Sequence, residues 1–330
     1  MKRVLVMGKI HPAASKVLDD YGDLCIDVIL DPGAAIPVGM VVQSDALLIR
    51  YGVLTAEHIR CATKLCVVSR HGVGCDNLPV EALSARGIPV TTVGPVTAVS
   101  VAEQTMAMLL SLLKRVEEYD HAVRTGDWPI RDSLAISDLA GKTLLLLCFG
   151  RIGREVAKRA RAFDMEVLIY DPFVSHDAAL ASGVVKVDAW HAVLGSVDVV
   201  SVHLPLGPAT RNIIDADVLV AMKPTAILLN AARGGLVDEG ALYQALSDRM
   251  AAGGAGIDTF AVEPPQLDAP LLQLRNVVLS PHSAALTAEA ARRMGLVAAH
   301  NVIAGLEGRL DPELVFNRAA LEQRAKAVPL

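Results

Sequence analysis

The chain has 330 residues, more than one hydrophobic core usually organises, so two domains are expected. Apolar residues make up 52%, enough to fill two cores, and 31 basic against 36 acidic side chains leave a net charge of −5 without a dense Lys/Arg cluster. That balance excludes a broad field for nucleic acid, and no apolar run approaches the ~20 residues needed to span a bilayer.

In chain order, short β-branched or Leu-rich runs alternate with longer helical stretches, the pattern of a parallel α/β architecture. In the first hundred residues, strands are predicted over 4–7, 24–29, 46–49, 66–69 and 89–91, with helices around 12–20, 56–61 and 80–85. Residues 100–115 are apolar at helical spacing (Val101, Met108, Leu109, Leu112) and long enough to bridge two domains. A second series of strands is predicted over 143–148, 166–170, 184–187, 197–202, 226–230, 254–257 and 277–280. From Thr287 the chain is helical again, with Ala290, Met294, Val297, Ala298, Val302 and Leu306 on one face. A helix leaving the second sheet so late can return to complete the first domain. The stretch beyond that helix is expected to be too short for an added regulatory domain.

The amino terminus reads as a strand running into Gly8, not as a signal peptide, which needs a longer apolar region and a small-residue cleavage site. Five cysteines (Cys25, Cys61, Cys66, Cys75, Cys148) show no paired metal-ligand spacing, and their odd number argues against a full disulfide framework. Reduced, mostly buried thiols in a cytoplasmic enzyme are the expectation, with no metal, nucleic-acid or membrane partner.

The buried run 143–147 leads directly into Cys148-Phe149-Gly150-Arg151-Ile152-Gly153, after which a helix opens with Val156, Ala157 and Ala160 on one face. Strand, glycine turn, helix is the setting of a dinucleotide loop. Its glycines admit the pyrophosphate, and the helix amino terminus offers free N–H groups. Cys148 stands where the first glycine of G-x-G-x-x-G would be, and its small side chain is expected to point into the apolar packing beneath the loop. Asp171 ends the next strand, roughly 20 residues beyond the loop, where a carboxylate accepts from the adenosine ribose and repels a 2′-phosphate. By itself Tyr170-Asp171-Pro172 is also a plain strand-end turn. Loop, helix and acid in register favour NAD.

Three polar residues end apolar strands of the second half: Arg233 before Gly234-Gly235, Glu263 in the stretch 256–264, and His282 after Pro281. In an open parallel sheet, the carboxyl ends of the strands form the ligand crevice. Singly, each is ordinary. Together, beside a dinucleotide loop, they are hard to dismiss, and the family resemblance given below implies reduction of a 2-keto acid with the following roles. Negative charge develops on the carbonyl oxygen, His282 donates a proton to it, and Glu263 stabilises the imidazolium. The forked guanidinium of Arg233 holds a carboxylate or polarises the carbonyl.

With these residues in view, the sequence resembles the D-isomer-specific 2-hydroxyacid dehydrogenase family over essentially its whole length. The motifs are His71-Gly72-Val73-Gly74-Cys75-Asp76-Asn77, Val101-Ala102-Glu103-Gln104-Thr105, Phe149-Gly150-Arg151-Ile152-Gly153, Ser201-Val202-His203-Leu204-Pro205-Leu206, Asn230-Ala231-Ala232-Arg233-Gly234-Gly235 and Pro281-His282. The resemblance implies two α/β domains with parallel sheets, Rossmann-like or flavodoxin-like. A discontinuous substrate domain (1–99 with 287–330) would carry an inserted NAD domain (100–286), and a homodimer would form through the long helix near 101–115. It places catalysis on Arg233, Glu263 and His282, and cofactor contacts on Gly150, Arg151, Ile152, Gly153, Asp171, His203, Pro205, Thr210, Ala231, Ala232, Asp258 and Ala284. The departures are Cys148 for glycine and Ser283-Ala284-Ala285 where many members have Ile-Gly-Gly.

The turn 69–74 offers successive amides for a substrate carboxylate, through His71, Gly72 and Val73. Arg50, Tyr51 and Arg70 end strands of the first domain, and relatives acting on phosphoglycerate carry arginines in similar positions facing the phosphate. A second anionic group on the substrate or a surface ion pair would both suit them. Family members that oxidise formate carry glutamine in place of Glu263, so the glutamate favours a hydroxy acid of the hydroxypyruvate, glyoxylate or 3-phosphoglycerate type. A corepressor branch with the same fold and triad leaves a non-catalytic, NAD(H)-sensing role as the alternative.

Overall fold

Apolar runs bounded by glycine, proline and charge form β-strands in both halves of the chain; the computed structural model describes residues 1–31 and 35–327. Two compact units result, one of Met1–Thr97 with Thr287–Leu330, the other of Ala98–Leu286.

The first unit holds β1 (Lys2–Met7), β2 (Leu24–Ile29), β3 (Ala46–Ile49), β4 (Val67–Arg70) and β5 (Val90–Thr91). They form one sheet in the order β2-β1-β3-β4-β5, every pair parallel. Because side chains alternate along a strand, Leu5, Met7, Leu47, Ile49 and Val68 enter one core, while Val4, Val6, Ala46, Leu48 and Val67 enter another. The second core is closed by helix Ala288–Leu306 through Met294, Ala298, Ala299 and Val302.

The second unit contributes β6 (Thr143–Leu147), β7 (Glu166–Tyr170), β8 (Val185–Lys186), β9 (Val199–Val202), β10 (Ile227–Asn230), β11 (Gly254–Ile257) and β12 (Val277–Leu279). Their order is β12-β11-β10-β9-β6-β7-β8, again all parallel. The strand order reverses between β6 and β9. In open α/β sheets such a switch point, at the carboxyl ends of the strands, is where ligands bind.

Strand ends differ by one or two residues from expectation, within ordinary fraying. Two larger differences are instructive. Helix Val38–Gln43 was not expected, because Val-Gly-Met-Val-Val-Gln carries a helix-weakening glycine and no side-chain cap. The second concerns helix Ala98–Lys114: its length alone suited a bridge between domains, and in the structure it is core of the second unit. Its Val101, Ala102, Met106, Met108 and Leu109 pack with Leu144 and Leu146 of β6 and with Val156, Ala157 and Ala160. The expectation of mostly buried thiols is also corrected. Cys75 is buried, but Cys61 and Cys66 are exposed because they end a short helix and precede β4. Among the described residues, no helix is long and apolar enough to cross a membrane.

Candidate active site

In the second unit, β6 delivers the chain into the loop 148–153. Cys148 adopts the left-handed conformation of a glycine, with φ +83°. Helix Arg151–Ala162 then starts at Gly150, with no side-chain cap, leaving the amides of its first turn available. A Cβ on Gly153 would lie 2.5 Å from the Cys148 carbonyl oxygen, so only glycine lets helix and strand approach this closely. These features fit a pyrophosphate. The expectation that Cys148 points into apolar packing beneath the loop is not met. Its half-buried thiol lies by the Gly150 amide and the Asp171 carboxylate, and burial pushes it above its ordinary pKa.

Asp171 ends β7 and is 6% exposed. Its Oδ2 accepts from the Phe149 amide and its Oδ1 from the Phe173 amide, both at 2.9 Å. The residue expected to face the ribose therefore also clamps the loop.

The remaining cofactor candidates lie at the carboxyl ends of neighbouring strands. His203 follows β9, and its Nε2 is 2.9 Å from Ser201 Oγ while Nδ1 is buried without a partner. Burial lowers its pKa to about 4, so it is neutral. Thr210 Oγ1 closes the next loop, donating to the Pro205 carbonyl and accepting from the Gly207 amide. Ala231 and Ala232 follow β10, Asp258 follows β11 and Ala284 follows β12; all four are buried. Arg151 is exposed and Ile152 half-buried on the first helical turn.

The loops after β10, β11 and β12 carry the catalytic candidates. Asn230, 1% exposed, donates to the Arg233 carbonyl at 2.9 Å and accepts from the Ala232 amide at 3.1 Å, shaping the turn that presents Arg233. The next residue, Gly234, packs against the neighbouring loop so tightly that a Cβ would lie 1.8 Å from the Phe260 carbonyl oxygen. That loop holds Glu263, whose Oε1 accepts from the Phe260 amide at 3.0 Å. Its Oε2 lies 2.7 Å from His282 Nδ1, and the imidazole side chain is 49% exposed. An oriented, solvent-accessible acid–histidine pair can move a proton.

The first unit has its own polar crest. The guanidinium of Arg70 is spent on carbonyls: Nε donates to Gly74 at 2.9 Å, and Nη1 donates to Ile49 at 3.1 Å and Arg50 at 2.6 Å. It staples the 70–74 turn to the end of β3. Arg50 donates to the Lys9 carbonyl and stacks over the Tyr51 ring at 4.7 Å. Among the described residues, no hydrogen bond engages the amides of Gly72, Val73 or Gly74. His71 is 5% exposed, with Nε2 unpartnered; burial and then the nearby Arg50 charge lower its pKa to about 4.

Sequence reasoning overlooked Asn230 and Ser280, which act through other residues. Asn230 opens the motif that carries Arg233, and only its burial shows what it holds. Among the described residues, no group of His, Cys, Asp or Glu could hold a metal ion.

Residues 106–284, more than half of the chain, match the family model for the D-isomer specific 2-hydroxyacid dehydrogenase, NAD binding domain. The chain belongs to the D-isomer specific 2-hydroxyacid dehydrogenase family. Its second unit is therefore an NAD-binding domain, and NAD is its cofactor. The chain is 37% identical over 316 residues to a D-3-phosphoglycerate dehydrogenase of Methanocaldococcus jannaschii, covering 96% of this chain and 59% of that relative. It is 40% identical over 265 residues to a glyoxylate reductase of Korarchaeum cryptofilum, covering 79% of each. A solved structure of a Thermus thermophilus protein superposes with a TM-score of 0.82 at 35% identity, covering 93% of this chain and 97% of the other. The chain spans about half to three-fifths of the length of the phosphoglycerate dehydrogenases it matches.

Proposed function

We propose that this family member is an NAD-dependent dehydrogenase that interconverts a small D-2-hydroxy acid and its 2-keto acid, of the hydroxypyruvate, glyoxylate or 3-phosphoglycerate type. The observation that carries the reading is the 2.7 Å pair of His282 and Glu263 at the carboxyl edge of the NAD-binding sheet. NAD supplies or accepts the hydride. The chain's own residues manage charge and protons around that transfer. Glu263 accepts from Nδ1–H and so leaves the transferable proton on Nε2 of His282. In reduction His282 gives that proton to the carbonyl oxygen; in oxidation it takes the hydroxyl proton. Arg233 steadies the substrate carboxylate or the developing oxyanion.

NAD is assigned to Gly150, Arg151, Ile152 and Gly153 at the pyrophosphate and to Asp171 at the ribose. His203, Pro205, Thr210, Ala231, Ala232, Asp258 and Ala284 border the rest of it. The unengaged amides of Gly72 and Val73 support their assignment to the substrate carboxylate, with His71, Arg50 and Tyr51 beside them and Arg70 holding the turn. A homodimer is the assembly we assign. Leu112, Leu113, Leu134, Ile136 and Val278 line a groove of the second unit together with Arg115, Glu117, Glu118 and His121, a mixed polar and apolar surface that a second copy would cover. The test is NADH oxidation with phosphohydroxypyruvate, hydroxypyruvate, glyoxylate, 2-ketoglutarate and sulfopyruvate. Saturable turnover with at least one, faster than with NADPH, supports the reading; none with any overturns it.

A further inference from the structure

His282 has a left-handed backbone, φ +50°, a conformation that side-chain-bearing residues adopt only when something holds them there. In this chain the holding group is one buried carboxylate. Asp258 is 1% exposed; its Oδ1 accepts from the Ser280 hydroxyl and, at 2.9 Å, from the Ser283 amide, while the Ala284 amide lies 3.2 Å from each of its oxygens. Its backbone carbonyl accepts from the His282 amide at 2.8 Å. Residues on both sides of the histidine are thus tied to a single residue of the neighbouring strand end. A buried carboxylate persists only where donors compensate its lost hydration, and here the turn supplies them.

We infer that Asp258, with Ser280, is a positioning device for the proton-transferring imidazole: it fixes the 280–284 turn so that His282 meets Glu263. This inference rests on the proposed role of His282 as proton donor. It also accounts for Ser283-Ala284-Ala285 standing where relatives carry Ile-Gly-Gly. Asp258 reads the amides of 283 and 284, and amides do not depend on the side chains they carry.

The test compares Asp258→Asn, Ser280→Ala and Ser280→Thr with the parent for kcat in keto-acid reduction and, separately, for NADH Kd by fluorescence titration. Measured at saturating NADH, Asp258→Asn should lower kcat about 10–100-fold, in the range by which misplaced catalytic groups lose rate, whatever its effect on NADH Kd, since Asp258 also borders the assigned cofactor site; Ser280→Ala should leave NADH Kd within about threefold. Ser280→Ala, the milder change, should lower kcat about 3–10-fold, and Ser280→Thr should restore it, since the hydroxyl returns. Parental kcat in either Asp258→Asn or Ser280→Ala overturns the inference. So does a tenfold weakening of NADH binding by Ser280→Ala, a residue outside the cofactor assignment, which would place the defect in cofactor binding. His282→Ala in the same assays separates the two layers: if it turns over like the parent, the reading of His282 as the proton donor fails; if it alone is impaired, only the positioning role fails.

Discussion

Replacing Gly234 with Ala adds one carbon where the structure has no space for it. That carbon would lie 1.8 Å from the Phe260 carbonyl oxygen, 2.1 Å from its carbon and 2.7 Å from the Ala261 nitrogen. All three are backbone atoms, so no side-chain rotation relieves the overlap. Non-bonded heavy atoms settle at about 3.5 Å, so the loops after β10 and β11 must separate by more than ~1 Å. The displaced segment includes Phe260, whose amide holds Glu263, which in turn holds His282. A misplacement of this size costs on the order of 10²-fold in rate, or about 2.7 kcal/mol of barrier. The assay is kcat/KM for NADH-dependent reduction of whichever keto acid the parent turns over, with a thermal melt to confirm that the variant is folded. A folded Gly234→Ala protein with near-parental kcat/KM would refute the claim that contact between these two loops sets the catalytic geometry.

The dinucleotide loop and the buried imidazoles have consequences of their own. Cys148→Gly should relieve a left-handed backbone costing about 1–2 kcal/mol, less the roughly 0.4–1 kcal/mol of added unfolded-state freedom, for a net Tm rise of ~2 °C. NADH Kd should change less than about tenfold, and a lower Tm or a hundredfold tighter complex would contradict this. Asp171→Ser should weaken NADH binding and narrow its preference over NADPH, read from the two Kd values; a parent that prefers NADPH would remove Asp171 from the ribose. His71 and His203 are both neutral when folded, with pKa values near 4 against about 6.5 unfolded, so between those limits the unfolded chain binds the extra protons. Their contribution to stability is full above pH 6.5 and is lost as pH falls toward 4, by at most about 1.4 kcal/mol per pH unit for each. A Tm equal at pH 7.5 and pH 5 would show that neither imidazole is held neutral.

Much of this was legible in the sequence because strands buried on both faces announce themselves as short apolar runs, as in Thr143–Leu147 and Ala46–Ile49. The strand-end positions of Arg233, Glu263 and His282 were equally visible, since each follows such a run. Packing partners were less visible. Nothing in the periodicity of residues 100–115 separates a helix bridging two units from one buried against β10 and β11. Cys148 read as a small apolar side chain, yet its φ of +83°, a property of the backbone path, aims the thiol at Gly150 and Asp171. Arg70 suited an anion or a surface ion pair alike, and only its geometry reveals that its Nε and Nη1 also meet carbonyls of Ile49, Arg50 and Gly74. Polar residues that serve other residues leave a weak mark in sequence, because their partners come from distant strand ends.

The central claim is that the His282–Glu263 pair performs the proton step of a hydride transfer. It is tested most directly by measuring steady-state keto-acid reduction by His282→Ala, alongside its NADH Kd. The account predicts near-parental NADH binding with turnover lowered roughly 10²–10⁴-fold, the range for loss of a general acid. Turnover within a few-fold of the parent, at equal NADH occupancy, would contradict it.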